Sequence, residues 1–111
     1  MVSKSFTAEA SPSAPAFSVP NPKLGKITKI EVDNHSTNGA ITVMFKDRFT
    51  PDPSIGNPSP SQVERIRKVI TVAQGGHFES NELEIPIYGD CFVEASRDDS
   101  DVSISMEYGM E

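Results

Sequence analysis

The side chains able to do chemistry are few and scattered. His35 and His77 each stand among turn-forming residues, and neither shares a recognisable spacing with a nucleophile and an orienting group. The only cysteine, Cys91, falls on the alternating face with Val93 and Ala95, where a small buried hydrophobe is the expected role. There is no Gly-rich phosphate loop, no zinc-type spacing and no paired-cysteine motif. Neither a cofactor nor a metal site is therefore expected, no catalytic residue is assigned, and the chain reads as a non-enzyme.

Two charged clusters invite a binding role. Asp98, Asp99 and Asp101, with Asp90 and Glu94 nearby, offer hard oxygens of the kind calcium takes six to eight of, but the spacing matches no calcium loop. A solvated acidic turn is the better reading. Arg65, Arg67 and Lys68 could meet phosphate, yet a net charge of −6 and the lack of interleaved aromatics argue against nucleic acid. Arg65 and Arg67 share a strand face and most simply meet carboxylates on a neighbouring strand. With no tryptophan and only Tyr88 and Tyr108 as tyrosines, aromatic platforms for a sugar are thin, and a small-molecule ligand is not expected.

The elements that would position these residues are strands. Ile27–Val32 puts Ile30 and Val32 on one face, and Ala40–Lys46 alternates Ile41, Val43 and Phe45 against Thr42 and Lys46. The Asn38-Gly39 pair between them predicts a hairpin. A proline-rich loop, Phe49–Gln62, follows, and loops of that length usually serve a function. Over 63–72 the β-branched run Val69-Ile70-Thr71-Val72 favours a strand over a helix, with Ile66, Ile70 and Val72 sharing a period of two. Leu83–Ile87, Cys91–Ala95 and Val102–Tyr108 alternate in the same manner, Pro86 placing its strand at an edge. Six short strands and no helix predict an all-β fold, a small antiparallel sandwich of jelly-roll or Ig-like type, with Ile70, Ile85, Val72 and Ile104 in one core.

Residues 1–22 contain Pro12, Pro15, Pro20 and Pro22 among Ser, Ala and Thr, with Phe6, Phe17 and Val19 as isolated apolar anchors. Such a segment lacks a periodic apolar face and reads as an extended N-terminal arm in front of a domain spanning 23–111. It holds no apolar run long enough for a signal peptide or a membrane helix. The expectation is a protein made in the cytoplasm, off the membrane, with a virion or particle surface as one destination that needs no signal. Without a secretory route Asn34-His35-Ser36 is a poor glycosylation candidate.

Charge is divided unevenly: residues 23–78 carry +3 and residues 79–111 carry −9. The two halves could pair within the domain or between copies. For a domain this small, with no possible intrachain disulfide, two sources of extra stability remain, oligomerisation and a bound ion.

The layout of arm, short strands, Pro-rich loop and acidic hairpins resembles small virion decoration or cement proteins and other coat-associated β-sandwich components. The resemblance is one of architecture and carries no diagnostic motif. It implies that the arm staples neighbouring subunits, so Phe6, Phe17 and Val19, together with Arg65 and Arg67, are the assembly residues to examine. The leading functional expectation is a structural subunit in a homo-oligomer or larger protein assembly. The competing one is a binding module for a glycan or peptide that uses the 49–62 loop.

Overall fold

Alternation of apolar and polar residues governs the whole chain. The computed structural model describes residues 2–20, 23–53 and 55–110. Nine strands are present among them: β1 (Val2–Ala8), β2 (Phe17–Ser18), β3 (Gly25–Asn34), β4 (Ile41–Phe49), β5 (Val63–Val72), β6 (His77–Ser80), β7 (Ile85–Ile87), β8 (Asp90–Ala95) and β9 (Asp99–Met110). One sheet has the order β1-β9-β3-β6, with β7 also on β3, and the other has the order β2-β8-β4-β5. Every paired neighbour is antiparallel.

β6 lies along Ile30–Asp33 and β7 along Gly25–Ile27, so the two are one strand interrupted at 81–84. The interruption faces a bulge in β3 between Ile27 and Lys29, where the Leu83 amide donates to the Thr28 carbonyl at 2.9 Å. If β6 and β7 count as one strand, the sheets read 1-8-3-6 and 2-7-4-5, the interlocked Greek keys of a jelly roll. This order resolves the jelly-roll and Ig-like alternatives in favour of the first.

The inner faces of both sheets form one core. Ile30 and Val32 of β3, Ile104 and Met106 of β9, and Val43 and Phe45 of β4 are almost wholly excluded from solvent. Ile70, Val72, Ile85 and Ile104, the four residues expected to share a core, all belong to it.

Two expectations are corrected here. Ile27–Val32 and Ala40–Lys46 do not form a hairpin, because β3 and β4 belong to different sheets. The Asn38-Gly39 pair does turn, with Gly39 at φ +97°, but it turns inside a corner that crosses between sheets. The buried Asn34 side chain fixes that corner: its Nδ2 donates to the carbonyls of Gly39, Val72 and Ala73 at 3.0, 3.2 and 3.2 Å, and its Oδ1 accepts from Ser36 N. Those bonds hold the end of β3 against the end of β5, and a two-stranded turn could not reach them.

The second correction concerns residues 1–22. They were expected to lie outside the domain, yet the described part of this segment supplies β1 and β2, while Met1, Asn21 and Pro22 lie outside the described residues. β1 pairs along β9 from Val2↔Tyr108 to Thr7↔Ser103, and Phe17 pairs with Cys91. Phe17 and Val19 are buried, and the Phe17 ring stacks on Tyr108 with centroids 3.9 Å apart. Spaced anchors suffice because a two-residue strand needs no periodic face. Each anchor fills one gap, and the prolines of the connection between β1 and β2 carry the chain from one sheet to the other.

Removing residues 1–20 should therefore destabilise the fold rather than leave it intact. In a urea titration Phe17→Ala should lose about 3–5 kcal/mol, the cost of emptying a buried aromatic site. An unchanged midpoint in both variants would restore the free-arm description.

Candidate functional site

Asp47 occupies an inward position. The alternation Ile41, Val43, Phe45 continues to it, so the sequence places a carboxylate where a fourth apolar residue would be expected. The residue is fully buried. Its charge is tolerated because donors surround it: Oδ2 accepts from Arg67 Nη2 at 2.9 Å, Arg67 Nε at 3.3 Å and Tyr88 N at 2.9 Å, and Oδ1 accepts from Gly89 N at 3.0 Å.

A β-bulge brings Arg67 to this position. Phe45 pairs with Lys68 but Lys46 pairs with Ile66, so Arg67 is the extra residue on β5. The bulge reverses the parity of everything before it. Ile66, expected on the core face with Ile70 and Val72, instead stands on the outside and is 57 % exposed. The Arg67 guanidinium also lies over Tyr88 at 5.2 Å and Phe49 at 5.6 Å, and these two rings meet at 5.5 Å.

Above this buried pair opens a cleft of about 580 Å³ at one end of the sandwich. Arg48 and Phe49 from the end of β4, the turn Tyr88-Gly89-Asp90, Lys23, and Asp52 of the long loop line it. Gly89 is required at its wall, because a Cβ there would collide with the Arg48 carbonyl and lie 2.8 Å from Phe49 Cβ. Arg48 is held by Glu64 at 2.9 Å and covers the Phe92 ring at 4.2 Å. That contact with Arg48 keeps the Glu64 carboxyl below its usual range. A half-exposed tyrosine ring beside cations and carboxylates suits binding; among the described residues the cleft lining contains no histidine, cysteine or serine.

Of the five residues expected to mediate assembly, four have partners within the chain. Phe17 and Val19 are core residues, Phe6 packs half-buried against the core, and Arg67 neutralises Asp47. Arg65 alone is exposed with no bonded partner among the described residues. The two arginines do not act together: Arg65 pairs opposite Asp47 in the strand register, but Arg67, the bulge residue, is the one that bonds it. Lys46 and Arg48 of the basic half are similarly engaged, Lys46 with Glu94 at 2.5 Å and Glu64 at 3.4 Å. Bonding to Glu94 raises the Lys46 pKa. Among the described residues, Lys26–Glu84 and Lys46–Glu94 are the lysine and arginine pairs that join the basic segment to the acidic one, while Arg48–Glu64 and Arg67–Asp47 close within residues 23–78.

Cys91 is fully buried, and burial together with the Asp47 charge pushes its thiol up to about 12. The acidic turn is only partly a solvated one. Asp99 points inward and accepts from Arg97 Nε at 3.0 Å and the Asp101 amide at 3.0 Å, while Asp98 accepts from Ala10 N at 2.7 Å. The hydroxyl of Ser36, followed by the Asp101 amide, holds the Asp99 carboxyl down to about 2. Sequence reasoning weighed Tyr88 as an aromatic platform and the loop from Phe49 as a binding surface but passed over Asp47, although a charged residue in the apolar phase of β4 was a legible signal.

Arg67→Met should cost about 3–5 kcal/mol, since it leaves a buried carboxylate uncompensated. Arg65→Met, on the exposed side, should stay within about 0.5 kcal/mol. Equal small effects in urea titrations would show that the guanidinium is not needed. Because Asp99 has a depressed pKa, its contribution to stability is complete above the unfolded value of 3.8 and disappears as the pH falls towards about 2. Asp99→Asn should therefore flatten the acid limb of stability against pH between those values, and an unaltered limb would refute the assignment.

Comparison with known proteins gives no relatives: no family model, no curated protein and no solved structure matches the chain.

Proposed function

We propose that this chain is a non-catalytic structural subunit that self-associates or docks on a larger protein assembly, such as a phage or virus capsid decoration or coat-associated protein. The observation that carries this reading is the outer side of β5. Ile66 and Val69 stand there 57 % and 53 % exposed on an edge strand. Exposed apolar side chains on a strand with a free edge favour contact with another sheet. Jelly rolls serve in capsids, but also in lectins and cupins, so the architecture supports the reading by analogy only.

A second reading, a binding module for a glycan or peptide, is favoured by one observation. The cleft between the 49–62 loop and the Tyr88-Gly89-Asp90 turn offers Tyr88 as a half-exposed ring flanked by Arg48, Asp52 and Asp90.

Light scattering over a concentration and salt series separates the two. The structural reading expects particles larger than a monomer, reduced to monomers by Ile66→Lys with Val69→Lys, two substitutions at positions already in water. Arg65→Glu should alter the salt dependence, because surface pairs are screened as the Debye length falls to roughly 3 Å at 1 M. A monomer under every condition, together with ligand binding abolished by Tyr88→Ala, would overturn the structural reading in favour of the module.

A further inference from the structure

On the outer face of the first sheet the pairing of β3 with β6 gathers four ionisable side chains. Asp33 lies directly opposite His77, and Glu31 directly opposite Glu79. The His77 Nδ1 meets Asp33 Oδ1, and ligating atoms of Glu31, Asp33 and His77 all lie within 4.8 Å of one another. Glu79 stands on the other side of the ring, its Oε2 3.9 Å from His77 Nε2.

Two features of this group are unlike an ordinary solvated surface. Like charges directly opposite on a sheet oppose pairing, yet Glu31 faces Glu79 with Asp33 beside them. Among the described residues no lysine or arginine comes within 4 Å of any of the three carboxylates, although the other sheet pairs its carboxylates closely. The second feature is the order of groups around the ring: Asp33 at Nδ1 and Glu79 towards Nε2, with a Glu31 oxygen within 4.8 Å of the Asp33 and His77 ligating atoms. A histidine bound to a metal characteristically offers its remaining N–H to such an outer carboxylate, which fixes the ring and raises its basicity.

We propose that Glu31, Asp33 and His77 form a surface site for a divalent transition-metal ion, with Glu79 as the outer carboxylate that orients the His77 ring. One imidazole and two carboxylates suit zinc and its first-row neighbours; magnesium and calcium prefer oxygen alone. Water would complete the coordination on the solvent side. The strand register, not a loop, brings the ligand residues together. In the metal-free state the histidine is held by Asp33. Metal and proton compete for the same nitrogen: when the ion binds, the imidazolium proton leaves to solvent, and affinity falls with acidity.

The test is calorimetric titration of the tag-free full chain with zinc ion at pH 7.5, repeated at pH 5.5, and with cobalt(II) for its visible absorption. The expected result is one saturable site per chain, weaker at pH 5.5. His77→Ala should weaken binding at least tenfold, and Asp33→Asn should weaken it too. Glu79→Gln should weaken it by roughly tenfold or more, as losing an outer carboxylate does. All three positions face solvent, and unchanged circular dichroism establishes that the variants fold. No saturable heat up to 1 mM zinc (roughly the floor of a useful site, about −4 kcal/mol) would overturn the proposal. So would zinc binding that His77→Ala leaves intact, which would place the ion elsewhere, or calcium binding as tight as zinc.

Discussion

The structure depends on one buried carboxylate. Asp47 is wholly removed from water, and an uncompensated charge there would be untenable, so everything around it must supply donors. Arg67 can do so only if β5 bulges, and Tyr88 and Gly89 can do so only if the β7–β8 turn closes against the end of β4. One side chain thereby fixes the register of β5, the position of the turn and the placing of two aromatic rings. The cleft above it is a consequence: its walls are the elements that came to satisfy Asp47.

The opposite end of the sandwich has a neutral counterpart. Asn34, equally buried, ties the end of β3 to the carbonyls at 72–73, and Ser36, Asn38 and Arg97 gather on Asp99 beside it. Buried polar groups that are fully bonded specify a unique arrangement even where their net contribution to stability is modest. Among the described residues no buried side-chain polar atom lacks a partner. A small core of aliphatic residues would permit several strand registers; these two polar centres select one.

Much of the fold was legible because alternation is a strong signal. The β-branched 63–72 run, the apolar phases of β4 and β9, and Cys91 as an interior residue all follow from side-chain type at a period of two. What the sequence concealed was parity and partnership. A bulge costs one residue and leaves no mark in composition, so Ile66 and Arg67 exchange faces without warning. A strand of two residues such as β2 is too short to show periodicity, and β1 resembles linker because its outward face carries serines. The candidate metal ligands on β3 and β6 lie too far apart in sequence to form a motif, and only the pairing of Asp33 with His77 brings them together.

The pairing of β1 with β9 has a kinetic consequence. Ser5 bonds to Ser105 across a sequence separation of 100 residues, so β1 is made long before the strand it pairs with. Closing such a loop costs entropy before any contact offsets it, and folds dominated by remote pairings are slow for that reason. Until β9 arrives β1 has no strand to pair with and the first sheet stays incomplete, whereas β3 with β6 and β7, and β4 with β5, can already pair. During synthesis the nascent chain thus presents a half-built sandwich with its apolar face open, a state in which chaperone contact or premature pairing with another copy competes directly with folding.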